Sequence, residues 1–410
     1  MQVKEMDLKD YCCLNRPRLR IDPEHDASWF FGNKSVEGRL LSRIHNDFNI
    51  RGVPKCGIVG RFGYGKTHSL YHIKHIFERN FDEFPAVPFV LRVAPYDEGT
   101  PGLNGWEYIH SKMLNAMGES FLRTIVIEFD KLPEARTKSL TDEMVKVFKF
   151  GDENLKKSLA NILSGYFLLE VRSTLVAWKW LRGAKLGKGE SFQDTGITKT
   201  LDTAEDMVDI LCNFGNLVRK VRNEGILFLI DEAQALDEIK KRLIEIQNAF
   251  LRLVDNQNED VGFIIAYFGT ARAAAVPKIF HRDDILSRLG VSTTNTEDAF
   301  IDLKSVINTE KDIRDFILSI LDGIIDEKKA QKLIADFNLT GRVQPKEIPF
   351  TKEAIERITK VLYEQEPNRN ARMIIETLAR LTAIAYQQGK KNNKYIIIDK
   401  NFVDPLIKNI

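Results

Sequence analysis

The segment Gly60-Arg-Phe-Gly63-Tyr-Gly65-Lys66-Thr67 carries the plainest chemistry in the chain, because it fits the pattern G-x-x-x-x-G-K-[ST]. Three glycines let the backbone curl so that its N–H groups converge on phosphate oxygens, and a helix starting near Lys66 adds its positive end. On this reading Lys66 bridges the β- and γ-phosphates and the Thr67 hydroxyl ligates Mg²⁺. Gly60, Gly63, Tyr64, Gly65, Lys66, Thr67 and His68 form the nucleotide-contacting set. A chance match to one pattern is set aside only by a second, independent feature. Gly225-Ile-Leu-Phe-Leu-Ile-Asp231-Glu232 supplies it. There a buried strand delivers two carboxylates at its C-terminal end, where α/β sheets place their ligands. Asp231 suits a Mg²⁺ contact, direct or through a water, and Glu232 suits polarising an attacking water. Together the two segments predict a site for ATP and Mg²⁺ and hydrolysis to ADP and phosphate.

These groups need a scaffold, and the hydrophobic pattern predicts one. Apolar runs at Lys55–Val59, Val87–Val93, Gly225–Ile230, Val261–Phe268 and Ala299–Val306 read as strands. Helical patterns lie between them, over Val36–Phe48, from Lys66 to about Arg79, and over Ala235–Val254. Gly102 to Asn223 is mostly helical, with segments at Trp106–Phe129, Thr141–Phe150, Asn154–Leu163, Tyr166–Leu181 and Ala204–Val221. The last opens on Thr203-Ala-Glu-Asp206, a capping-box-like start. From Thr309 the chain is helical again, with a short strand at Tyr395–Ile398. Strands separated by helices argue for a parallel α/β sheet, and the trailing helices for an all-α part. The expected organisation is an irregular N-terminal arm over 1–30, an α/β core over 31–306 with a helical insertion at about 102–223, and a helical lid over 307–410.

Composition bounds the partners. The chain has 410 residues, 43% of them hydrophobic and 29% charged, which excludes wholesale disorder. A net charge of +2 excludes nucleic-acid binding by bulk charge, so any such contact must be a local patch. No apolar run approaches the roughly 20 residues that span a bilayer, so no membrane is expected. The opening residues MQVKEMDLKDYCC lack the basic-then-apolar order of an export signal. Cys12, Cys13, Cys56 and Cys212 contain no CxxC pair and predict reduced thiols in a cytoplasmic protein.

The order of these parts resembles the AAA+ class of P-loop nucleoside triphosphatases, in particular its origin-recognition-like branch. The resemblance runs over about residues 30 to 390. It implies that Phe31-Gly-Asn-Lys-Ser-Val-Glu37-Gly-Arg39-Leu helps enclose the adenine. It also implies that Thr270, after the Val261–Phe268 strand, is a polar sensor of the nucleotide. An arginine reaching a neighbouring subunit's γ-phosphate is implied next, with Arg288 the first candidate and Arg282 the runner-up. Arg372, in Asn370-Ala-Arg372-Met, occupies the place of the lid arginine that folds back on the nucleotide. Arg288 and Arg372 read equally as solvated surface residues, and the sequence leaves both readings open. Asp231 lies 165 residues after Lys66, a longer gap than a minimal core needs. This layout, with Trp178-Lys-Trp180-Leu-Arg182-Gly183 inside the gap, is similar to ATP-binding proteins of BREX-type phage-defence clusters. The resemblance implies a homo-oligomeric, ATP-driven switch whose partner is double-stranded DNA or a defence-system effector protein. Where such relatives carry a C-terminal winged helix, only about 20 residues follow the last long helix here, so DNA binding through that module is not expected.

Other signals are weaker. His68, His72 and His75 share a helix, but a zinc site needs a fourth ligand. Trp178 and Trp180 are two apart and predict one core and one interface ring, with a base-stacking platform as the rarer alternative. Arg16, Arg18 and Arg20, and Lys390, Lys391 and Lys394, read as solvated surface or as phosphate-backbone contacts. A second function shares the site: a slow, nucleotide-gated scaffold whose helical insertion docks a partner.

Overall fold

Five apolar runs become five strands: β1 (Lys55–Gly60), β2 (Ala86–Arg92), β3 (Gly225–Asp231), β4 (Val261–Phe268) and β5 (Phe300–Asp302). They form one parallel sheet in the order β2-β3-β4-β1-β5. Every residue of β1 and β3 is buried. A parallel sheet is covered on both faces, so its inner strands read as continuous apolar runs rather than alternating ones. Burying each large apolar side chain of β3 contributes about 1.5–3 kcal/mol. Two polar residues lie in β1 and β3, Asp231 at the end of β3 and Lys55 at the start of β1, whose Nζ donates to the Asn258 carbonyl at 2.7 Å. The structure, a computed structural model, describes residues 2–30, 34–80, 82–93, 105–131, 143, 146–148, 153–168, 171–238, 242–255, 258–269, 278–289, 300–303, 307–365 and 370–407.

The chain divides into two units, one formed by Leu40–Val59 and Ile73–Asp302 and the other by Met1–Arg39, Gly60–His72 and Leu303–Ile410. In the first, the helix Ala204–Arg222 packs against the helices Trp106–Asp130 and Leu243–Val254 and against β3. Its Thr203 cap accepts a hydrogen bond from the Asp206 N–H. An aromatic cluster fixes β4: Phe250 lies 5.1 Å from Phe263, 5.4 Å from Phe280 and 5.4 Å from Trp106, centroid to centroid. The run Trp106–Asp130 is one continuous helix in the sequence pattern, but the structure breaks it at Gly118, which adopts φ +74°. Only glycine takes that conformation without a steric penalty. The run expected as one helix over Ala235–Val254 is a 3-10 turn, Ala233–Glu238, then the helix Leu243–Val254. Within the insertion the helices Glu153–Leu168 and Val171–Leu181 pair. Trp178 and Trp180 are both buried, at 8% and 2% exposure, so neither ring is an open stacking surface. Trp180 Nε1 donates to the Lys199 carbonyl at 2.6 Å, so both indoles share the core through different neighbours.

The second unit joins the C-terminal helices to the first thirty residues. Its C-terminal helices are Glu310–Ile324, Glu327–Asp336, Lys352–Glu364, Ala371–Asn392 and Lys400–Ile407. Thr309 and Asp312 close a capping box on the first of them. Tyr11, Cys12, Cys13 and Leu14 are fully buried. The Tyr11 hydroxyl accepts from the Ile396 N–H at 3.0 Å and donates to a main-chain carbonyl, with Ile396 O at 2.9 Å and Ala385 O at 3.2 Å. Its ring stacks on Tyr395 at 4.5 Å. Burial pushes both phenols above their usual range, so they stay neutral donors. The short strand expected at Tyr395–Ile398 is reduced to a bridge between Phe350 and Ile398. No described helix is long and apolar enough to cross a membrane.

Candidate functional site

The chain leaves β1 at Gly60 and enters the helix Lys66–Arg79 through five residues. Gly63 and Gly65 adopt φ +77° and +85°. No atom lies within 4 Å of where a Cβ on Gly65 would stand. Lys66 is 8% exposed, and its Nζ donates to the carbonyls of Gly60 at 3.0 Å and Arg61 at 3.1 Å. The lysine therefore turns back over its own loop. The Phe62 ring, 62% exposed, lies 5.7 Å from the same amine.

Helix Ala371–Asn392 starts against this loop. Asn370 caps it by accepting from the Met373 N–H at 2.9 Å, and the Arg372 N–H donates to the Gly63 carbonyl at 3.3 Å. The Arg372 side chain is exposed and lies 3.4 Å from Glu376. A Cβ on Gly63 would stand 2.6 Å from Asn370 Oδ1 and 2.9 Å from Arg372 Cβ. The Gly63→Ala variant is expected to lose about 1–2 kcal/mol of stability from the left-handed backbone alone. It should also weaken nucleotide binding, because the capping turn must move. Urea unfolding and an ATP titration read both effects, and wild-type values in both would contradict the contact.

His68 and His72 both meet main-chain carbonyls of the segment before the helix Lys34–Arg51. His68 Nε2 is 2.6 Å from the Trp29 carbonyl. Burial holds the His68 pKa below the usual imidazole value. His72 Nδ1 is 2.8 Å from the Ala27 carbonyl and its Nε2 is 3.0 Å from Glu37. The two rings thus anchor residues 27–29 and the helix Lys34–Arg51. Among the described residues, no group of three or more His, Cys, Asp or Glu is placed to hold a metal ion.

The acids sit at the carboxyl end of β3 in the other unit. Asp231 is 5% exposed, lies opposite Arg92 of β2 in the register, and accepts the Glu232 N–H at 2.9 Å. Glu232 adopts φ +58°, uncommon for a side chain of its size. Its carboxylate accepts a hydrogen bond from Gln234 Nε2, and Arg92 approaches its other oxygen at 3.9 Å. Gln234 Oε1 accepts the Phe268 N–H, at the end of β4, at 3.2 Å. Thr270 lies outside the described residues. Arg288, at the end of the helix Asp283–Arg288, is 4.0 Å from Asp255. Arg282 is held more firmly, by Asp284 at 2.7 Å and Asn248 at 2.6 Å.

Arg92 and Gln234 went unremarked in the sequence. A basic residue ending a strand and an amide two positions past the acids were the signals available. Their pairing depends on which strands are neighbours, and spacing along the chain does not reveal that.

The sheet and the C-terminal helices define an α/β protein with a five-stranded parallel sheet. No family model and no curated protein matches the sequence. Among solved structures, the chain is similar to the Orc1 protein of Aeropyrum pernix in complex with DNA, at 11% identity and a TM-score of 0.42. That match covers 93% of this chain and 66% of the other, so the chain spans about two thirds of its length. It is also similar to Cdc6p from Pyrobaculum aerophilum, at 12% identity and a TM-score of 0.40, over 92% of this chain and 68% of that one.

Proposed function

We propose that the chain binds and hydrolyses ATP and works as an oligomeric switch of the AAA+ kind acting on duplex DNA. The observation that supports this most is the loop itself. Gly63 and Gly65 take the left-handed conformation, and a buried lysine amine bends back over the carbonyls that precede it. Left-handed glycines allow main-chain N–H groups to turn toward an anion, and the amine would supply a cation beside it. Gly60 through Thr67 hold the phosphates in this reading. The Thr67 hydroxyl and the Asp231 carboxylate are hard oxygen donors suited to Mg²⁺, which when bound offsets the charge of the phosphates. Glu232 takes the proton from the attacking water, and the lid helix beginning at Asn370 senses the state of the loop through Gly63.

β1 and β3 are parallel strands of one sheet, and each ends, at the sheet's carboxyl edge, on a residue this reading uses, Gly60 and Asp231. That is the edge where α/β proteins place ligands. Arg288 is the better candidate for action on a neighbouring subunit, because Arg282 is committed to Asp284 and Asn248. The DNA partner rests on the family resemblance and on exposed cations at Arg18, Arg20, Lys390, Lys391 and Lys394. A role in phage defence rests on the resemblance in layout alone. If DNA is the partner, ATP should tighten duplex binding, and affinity should fall steeply with salt, by about 0.9 log units per log unit of salt for each phosphate contacted. Fluorescence anisotropy across a salt series measures this. A flat response in the presence of ATP would favour the nucleotide-gated scaffold.

A further inference from the structure

We infer that Gln234 is a positioning residue for Glu232, tying its carboxylate to the end of β4; the inference rests on the hydrolytic reading above. The geometry fixes which way the carboxamide faces. Phe268 N–H can only donate and so requires the amide oxygen, which stands 3.2 Å away. The Glu232 carboxylate can only accept and so requires the amide nitrogen. The side chain is therefore a two-ended strut with one orientation. It runs from the last residue of β4 to the group proposed to activate water.

The strut opposes a local tendency to wander. Glu232 occupies a left-handed backbone conformation, just past the last residue of β3. A residue held there depends on its neighbours for its place. The N–H of Glu232 is taken by Asp231 Oδ1 and one carboxylate oxygen by Gln234. The Glu232 carbonyl also accepts the Ala235 N–H at 3.0 Å, so backbone and side chain are both restrained. The other oxygen faces Arg92 at 3.9 Å, beyond hydrogen-bond distance. With one oxygen bonded to Gln234, the other oxygen presents the face on which a water would be held. Any movement at the end of β4 passes through the Phe268 N–H to the position of that face. Gln234 thereby makes turnover depend on the position of the end of β4.

Steady-state ATP hydrolysis and nucleotide affinity of the full chain test the inference in Gln234→Met, Gln234→Glu and Glu232→Gln, and in the Glu232→Gln/Gln234→Met double variant. Methionine keeps the length and removes both hydrogen bonds. Glutamate keeps the acceptor for Phe268 but sets a second carboxylate against Glu232. Displacing a reacting group by about an ångström can lower the rate a hundredfold, so Gln234→Met is expected to lower kcat by about 10- to 100-fold. KM and ATP affinity should stay within about threefold of wild type, because the interaction serves the reaction and not ground-state binding. Gln234→Glu should be at least as slow, which also covers the case in which the methionine variant does not fold. In the Glu232→Gln background the methionine change should add nothing further. A Gln234→Met enzyme with wild-type kcat, or one with equal losses in both backgrounds, overturns the inference. Wild-type turnover that is lost in Glu232→Gln but kept in both Gln234 variants overturns it alone. A wild-type chain without ATP turnover overturns the parent reading as well.

Discussion

The Lys66→Ala variant is expected to lose ATP binding, with affinity at least about 100-fold below wild type. Two charge-assisted hydrogen bonds to phosphate, each worth about 1.5–3 kcal/mol, account for a change of that order. The amine already lies within the loop, 3.0 and 3.1 Å from the carbonyls of Gly60 and Arg61. Binding would exchange those neutral acceptors for phosphate oxygens with little movement of the side chain. Removing the amine also leaves the two carbonyls without this donor, so a modest drop in thermal stability should accompany the loss of affinity. Calorimetric titration with ATP and with ADP is the measurement. Affinity equal to wild type would refute the assignment of the loop, whatever the activity.

Glu232→Gln should behave in the opposite way. It should bind ATP normally and turn over about 10²- to 10⁴-fold more slowly, the range a general base contributes. The isosteric amide fits the same turn, since φ +58° and the contact from its N–H to Asp231 depend on the backbone. A bound, uncleaved triphosphate would trap any assembled state, visible as a shift in sedimentation with ATP and none with ADP. Mixing this variant with Arg288→Ala then asks whether the arginine acts across an interface. Recovery of part of the turnover is expected if it does. Retention of full hydrolysis in Glu232→Gln alone would remove Glu232 from the reaction.

What the sequence discloses depends on how local each feature is. Within β1, β3 and β4 the residues between the polar ends Lys55 and Asp231 form apolar runs because both sheet faces are covered, and that burial is written directly into residue type. Thr203 and Asp206 mark a helix start through a hydrogen bond three residues long. The glycine pattern of the loop is equally local. The break at Gly118 was hidden because the apolar spacing continues on both sides of it, and one glycine is tolerated in many helices. The strand expected at Tyr395–Ile398 has the right composition, but it meets a partner only at the bridge from Ile398 to Phe350. Gln234 and Arg92 could not have been found by spacing. Each acquires its role from a strand distant in sequence, β4 for one and β3 for the other.

Tyr11 has a consequence for how such a molecule comes off the ribosome. Its hydroxyl is satisfied by main chain 374 and 385 residues further on. The phosphate loop likewise waits for Asn370 and Arg372 before Gly63 has its neighbour. At about 5–20 residues per second, the nascent amino end spends tens of seconds with these groups unmatched. On the proposed reading, the loop reaches its finished geometry only after residue 372 has been made, which delays any nucleotide-dependent assembly until then.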